Sequence, residues 1–257
     1  MAETPALDHV APPAGSANGR AARLAQLQAN LGITFYNDDL LLLALIHSSY
    51  LNEQEEREPL SLDDSNERLE FLGDALLGFI TADFLYHRYD AFTEGELTVS
   101  RASLVRTETL AIWARELGLD ELLYLARGER GEDGAVSVRV LAGAFEALLG
   151  AVYLDQGLDA ARAFLVGLLE RDATRIIHTR QATNYKGRLQ ELLQQRDQTT
   201  PTYRILRESG PAHHRHFVIE VVHLGETLGR GSGPSKRVAE QAAARDALEQ
   251  LGQEGID

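Results

Sequence analysis

The 257-residue chain has no cysteine, one methionine, one tryptophan and only two lysines, Lys186 and Lys236. Without cysteine there is no disulfide framework, no thiolate metal site and no cysteine nucleophile, so any metal must be held by oxygen or imidazole. Long apolar runs are missing too. The longest, Leu40 to Ile46 and Val140 to Tyr153, fall short of the roughly 20 apolar residues a bilayer span needs. The first twenty residues carry Glu3, Asp8 and three prolines instead of the apolar core of a secretory signal. These absences lead us to expect a cytoplasmic protein with no membrane partner.

What is present is an ordinary globular composition, 44% hydrophobic and 25% charged, enough to bury a sizeable core. The net charge of −14 argues against a polyanionic partner, but it is unevenly spread. Residues 1–183 hold 15 arginines against 29 acids, whereas residues 184–252 hold 10 cations against 8 acids. An acidic body is followed by a mildly basic module that contains both lysines.

The texture changes at the same place. Asp38 to Ser48, Ser65 to Tyr86, Thr98 to Leu117 and Val138 to Leu154 repeat apolar residues at three and four, which predicts an all-helical domain. The stretch from Asn52 to Asp64 reads as an acidic loop. Beyond the polar segment His178 to Thr183, a helix over Asn184 to Gln195 precedes three strands, Thr202 to Arg207, His216 to Val222 and Glu226 to Gly231. An alanine-rich helix over Ser235 to Leu251 closes the module. This α-β-β-β-α order predicts a small α+β domain, two helices against one antiparallel sheet.

On a helical wheel Glu67, Glu70 and Asp74 share one face within roughly 60°, with Leu69, Leu72, Leu76, Phe79 and Ile80 opposite. A solvated face of an amphipathic helix explains that pattern, yet like charges at this spacing repel by a few tenths of a kcal/mol per pair. A missing cation would explain it as well. Phe71 points to the acidic side, where an aromatic suggests a subunit interface. Glu146 is the one charge in an otherwise apolar and therefore buried helix. It is either a neutral or arginine-paired core residue or a partner of Glu70 and Asp74 around a divalent cation. Clustered hard oxygens suit Mg²⁺ or Mn²⁺, which can drive phosphodiester hydrolysis.

In the basic module, Lys236 and Arg237 stand at the start of the last helix, against the macrodipole, which suits a docking phosphate or a plain glycine loop with a stray basic pair. The turn around His213 is rich in imidazoles and reads equally as plain surface.

The segment Asn66-Glu-Arg-Leu-Glu-Phe-Leu-Gly-Asp74 closely resembles the signature of ribonuclease III, and His47-Ser-Ser-Tyr50, Arg101 to Val105, Ala114 to Gly118 and Ala144 to Gly150 agree with it. Arg188 to Glu191, Pro201 to Tyr203, Gly229 to Gly233 and Ser235 to Ala239 resemble a double-stranded-RNA-binding domain. The resemblance divides the chain into a disordered leader (1–20), an all-α catalytic domain (21–178), a linker (179–183), the α+β RNA-binding domain (184–252) and a tail (253–257). It implies a homodimeric endonuclease that cuts double-stranded RNA with Mg²⁺, Mn²⁺ substituting, and leaves 5′-phosphate and 3′-hydroxyl ends with two-nucleotide 3′ overhangs. It further implies processing of ribosomal RNA precursors and some messages. By position, Glu70, Asp74 and Glu146 are metal ligands, Asp74 and Glu146 catalytic, and Glu67 an accessory acid near the RNA. Phe71 plugs into the partner, Gln190, Glu191 and His213 meet the minor groove, and Ser235, Lys236 and Arg237 hold phosphates.

Two positions depart from the pattern. Where the family has an aspartate three residues before Glu146, this chain has Gly143, so weaker metal affinity is expected. A dimer that binds duplex RNA with little or no cleavage is the alternative. A frequent third lysine is replaced by Glu240.

Overall fold

The computed structural model describes residues 17–52, 65–211 and 214–254. The expected acidic loop beyond Asn52, and His213, lie outside them. The helices are α1 (Ala17–Leu31), α2 (Asp38–Ala44), α3 (Ser48–Asn52), α4 (Glu67–Arg88), α5 (Glu94–Leu104), α6 (Thr107–Glu116), α7 (Leu119–Leu122), α8 (Val138–Gln156) and α9 (Leu158–Thr183), with a 3-10 turn at Arg127–Glu129. Then come α10 (Tyr185–Asp197), β1 (Thr202–Ser209), β2 (His216–His223), β3 (Glu226–Gly233) and α11 (Lys236–Glu254). Two compact units divide between Ile176 and Ile177.

Helical structure extends past both expected ends of the all-α domain. Helix α1 begins at Ala17, inside the stretch read as a disordered leader, because Ala17, Ala21 and Ala22 favour helix and Leu24 and Leu27 bury their side chains. Helix α9 continues to Thr183 through the stretch read as a linker, where no glycine or proline interrupts it. The segment expected as one helix over Thr98 to Leu117 is two. Arg106 is extended (φ −73°, ψ 151°), and the buried Thr109 hydroxyl donates to the Ser103 carbonyl at 3.1 Å, fixing the break between α5 and α6. Helix α5 starts at Glu94, four residues before the expected boundary, on a capping box between Thr93 and Glu96.

Helix α8 is the axis of the first unit. Leu141 to Phe145 and Ala147 to Val152 are all buried, with α2, α4 and α6 packed against them. Trp113 of α6 meets Phe145 at a ring separation of 5.5 Å. The Trp113 indole donates to Asp172 of α9 at 2.9 Å, and Arg171 and Arg175 flank the same carboxylate. Burial alone would raise the Asp172 carboxyl, but hydrogen bonds from Arg171, Trp113 and Arg175 outweigh it and hold it below the usual range.

The α4–α8 contact is closer than ordinary helix packing because glycines form it. A Cβ on Gly73 would strike the backbone carbonyl of Glu146, and one on Gly150 the backbone carbonyl of Leu69. This moves the buried stripe of α4 from the expected one: Leu69, Gly73, Leu77, Ile80, Thr81 and Leu85 face inward, Leu72 and Leu76 are half-buried, and Phe79 is 52% exposed. A wheel weighted by apolar side chains has no weight at glycine, so it misses the position where α8 comes nearest.

In the second unit the antiparallel order is β1-β2-β3. Phe217, Ile219 and Val221 alternate inward from β2, while Leu224 (φ 50°) and Gly225 (φ 89°) form the two-residue turn to β3. Helix α11 lies flat on β3 because Gly229 and Gly231 carry no side chains to hold its alanine face away. Ala239, Ala243, Ala244 and Ala247 are fully buried there and on Leu189 and Leu193 of α10.

Gly73→Ala is expected to lower stability by about 3 kcal/mol, the upper range for overpacking a tight core, as read from urea unfolding. Gly78, on the same helix, has open space around it, so Gly78→Ala is expected to raise stability by up to about 1 kcal/mol. Equal effects would show that helix propensity, rather than the crossing, sets the glycine requirement.

Candidate functional site

The glycine crossing opens on one side into a recess of about 620 Å³. Helix α4 contributes Glu67, Glu70 and Asp74 from its first two turns, and Glu146 reaches it from the middle of α8. All four expected acids are therefore brought to one place by two helices. Phe71, 81% exposed, stands on its edge.

The entry to α4 is held rigidly. The Asn66 N–H donates to the Ile46 carbonyl (2.8 Å), its Nδ2 donates to the Ala44 carbonyl (3.3 Å), and its own carbonyl accepts from the Glu70 N–H (2.8 Å). Asn66 is 2% exposed, and its Oδ1 has no hydrogen-bond partner. Beside it, the His47 N–H donates to the Tyr124 carbonyl at 3.1 Å. The Ser49 N–H and hydroxyl both meet His47 Nδ1, at 3.2 and 2.7 Å.

Electrostatically the recess has a surplus of negative charge. Burial raises the Glu146 carboxyl to about 7, with Asp74 and Glu70 adding to the shift. Burial likewise raises Glu70; His47 and Arg139 pull it down while Glu67 and Asp74 push it up, and the net is upward. Among the described residues no three carboxylate or imidazole groups stand close enough together to hold an ion as placed. Glu70 lies against Gly143 instead: a Cβ there would be 2.7 Å from Oε2. The donor set nevertheless suits a hard dication. It is all oxygen, free of sulfur, mutually repelling and beside an orphaned amide oxygen. Glu70, Asp74 and Glu146 could hold one.

Two charged lining residues, Glu129 and Arg139, escape the motif-based reading, and His47, quoted within a motif, was given no role at the site. Arg139 carried a usable signal, since it precedes Gly143 by four residues and so shares its helix face. Glu129 belongs to a turn with no periodic pattern, and only the fold brings it here.

In the second unit, Ser235 starts α11 by accepting the Val238 N–H at 3.3 Å. Lys236 sits over the Phe217 ring at 5.9 Å, beside His214, Arg215 and His216. Arg237 does not join it but faces Tyr185 and Arg245. Gln190 and Glu191 are exposed on α10. Glu240, in place of the expected lysine, pairs with Lys186 at 2.8 Å, and that ammonium covers the Tyr203 ring at 4.4 Å. It braces α10 to α11.

The Ribonuclease-III-like family model matches residues 37–171, and that of the double-stranded RNA binding motif residues 185–251. Ribonuclease 3 of Dehalococcoides mccartyi is 47% identical over 228 residues, 89% of this chain and 94% of that protein. Ribonuclease 3 of a Roseiflexus species is 47% identical over 227 residues, 88% of this chain and 94% of that protein. The nuclease domain of ribonuclease III from Campylobacter jejuni, with structural flexibility in a region involved in dimer formation, gives a TM-score of 0.51 at 31% identity, over 58% of this chain and 97% of that one.

With its folded-state pKa near 7 against 4.5 unfolded, Glu146 makes the folded metal-free chain the stronger proton binder between those values. Its contribution is fully present below 4.5 and is lost as pH rises through 7. Glu146→Gln is therefore expected to gain stability relative to the parent as pH goes from 5 to 8 in EDTA, read from urea midpoints. A difference independent of pH would show that the carboxyl is not raised.

Proposed function

The chain belongs to the ribonuclease III family of endoribonucleases, and from that premise we propose that it hydrolyses double-stranded RNA at the α4–α8 recess, using Mg²⁺, or Mn²⁺ in its place, held by Glu70, Asp74 and Glu146. One observation carries the reading: carboxylates from two helices share a recess across a glycine crossing, where burial together with Asp74 and Glu70 raises the proton affinity of Glu146. Surplus negative charge of this kind marks functional sites. The ion supplies Lewis acidity there, ionising water near neutral pH and offsetting charge on the phosphodiester.

The side chains do the rest. Asp74 and Glu146 are the catalytic pair; with its carboxyl raised to about 7, Glu146 stands between its protonated and anionic forms near neutral pH, and a bound dication would favour the anion. Glu67, on the exposed rim, is the accessory acid beside the RNA. Across the reaction the oxygen of water bonds to phosphorus and the bond to the 3′ oxygen breaks. A proton passes to that oxygen, leaving 5′-phosphate and 3′-hydroxyl ends.

The exposed Phe71 ring is the contact to a second copy, and with it the α4 face that also exposes Phe79 and Tyr86. In such a homodimer two recesses cut opposite strands, with two-nucleotide 3′ overhangs. Gln190, Glu191 and His213 meet the minor groove, and Ser235, Lys236 and Arg237 the phosphates, so that duplex shape rather than sequence is read. Arg237 reaches them from a different side than Lys236. Precursors of ribosomal RNA and some messages, in the cytoplasm, are the substrates. Among the described residues no helix is long and apolar enough to cross a membrane.

The contrary reading, a dimer that holds duplex RNA without cutting it, has Gly143 in its favour. One assay separates the two. The parent protein is expected to cut duplex RNA in Mg²⁺ and to bind it intact in Ca²⁺, and protection in both ions would uphold the contrary reading. Glu146→Gln is expected to stop cleavage with duplex affinity unchanged. Lys236→Ala is expected to weaken binding of every sequence and reduce the salt slope by about one.

A further inference from the structure

Arg139 is the unexplained group of the recess. Among the described residues it is the only lining side chain of fixed positive charge, set among Glu67, Glu70, Asp74, Glu129 and Glu146. A guanidinium in such company ordinarily forks onto a carboxylate. Among the described residues this one makes no ion pair and no hydrogen bond, although it lies near enough to Glu70 to draw that carboxyl down. It also stands in the first turn of α8, after the Ser137 cap, where a cation opposes the helix macrodipole. An exposed cation held in an unfavourable place, unpaired beside several acids, is kept for an anion that arrives from outside.

Gly143 lies one turn further along the same face of α8, and any side chain there would stand against Glu70 on the floor of the recess. The Glu70 carboxylate takes that space, lying against the Gly143 backbone. Apart from Arg139 and His47, the ionisable side chains that line the recess are carboxylates, which repel a nucleic-acid backbone. On the proposed function, on which this step rests, the entering anion is the phosphodiester to be cut.

We infer that Arg139 is a catalytic residue of this chain, its guanidinium binding the non-bridging oxygens of the scissile phosphate. Those oxygens gain charge as water attacks phosphorus, so the contact strengthens on the way to the transition state and acts on kcat more than on binding of intact RNA. After cleavage the same oxygens belong to the 5′-phosphate of the product, which carries additional charge. The arginine therefore also gives the protein a preference for 5′-phosphorylated duplex ends.

The test uses the full-length protein, Arg139→Ala and Arg139→Lys. Arg139 is exposed, so both variants are expected to melt with the parent. Arg139→Ala is expected to lower the single-turnover rate at saturating duplex and Mg²⁺ by about 100-fold, with Kd for intact duplex in Ca²⁺ within about threefold. Arg139→Lys, which keeps charge but loses the fork, recovers part of the rate. Independently of turnover, the parent in Ca²⁺ is expected to bind a short duplex with two-nucleotide 3′ overhangs about tenfold more tightly with 5′-phosphate than with 5′-hydroxyl ends, a preference absent from Arg139→Ala. An Arg139→Ala rate within twofold of the parent with that preference intact overturns the inference. So does a variant whose only change is a lower Mg²⁺ requirement, because the guanidinium then merely neutralises Glu70. In both cases the parent still cuts duplex RNA and the proposed function stands; a parent that does not cut removes both.

Discussion

The distance between two helix backbones governs this molecule. Gly73 and Gly150 let α4 and α8 cross with backbone against backbone, closer than any pair of side chains would allow. The crossing sets Glu70 and Asp74 on one helix beside Glu146 on the other. The apolar wall of α8 and the Trp113–Asp172 clasp hold the scaffold on which it depends. A methyl group at Gly73 would remove none of these acids, yet it would separate them.

That closeness has an electrostatic consequence. In that partly buried recess Glu70 and Glu146 bind protons more tightly than usual, and the Glu146 carboxyl, raised to about 7, is about half protonated at neutral pH in the metal-free chain. A dication offers a better answer to the same repulsion. The charge distribution along the chain follows this division of labour, with the acidic surplus in the unit that carries the recess and the cations of residues 184–252 in the unit matched by the RNA-binding family model. The overall charge of −14 therefore describes neither unit.

Much of this was legible in the sequence. The spacing of Glu67, Glu70 and Asp74 on one face is a property of helix geometry alone, and the apolar surroundings of Glu146 already required a partner or a proton. The order of helices and strands followed from periodicity. What escaped is what depends on absent side chains or on distant segments meeting. The core line of α4 runs through Gly73, which has nothing for a hydrophobic pattern to register. The break at Arg106 is set by buried Thr109 reaching back to Ser103. Glu240 looked like a weakened RNA contact and is instead the partner of Lys186. Glu129 and His47 come to the recess from parts of the chain that carry no acidic motif.

The central claim is that three carboxylates meeting across a glycine crossing bind one kind of hard cation. Crystals of the full chain soaked in Mn²⁺ test it through the anomalous difference map. A peak within coordination distance of Glu70, Asp74 and Glu146 is the expected result. Manganese elsewhere on the surface with none in the recess, or carboxylates that stay apart in its presence, would contradict the account.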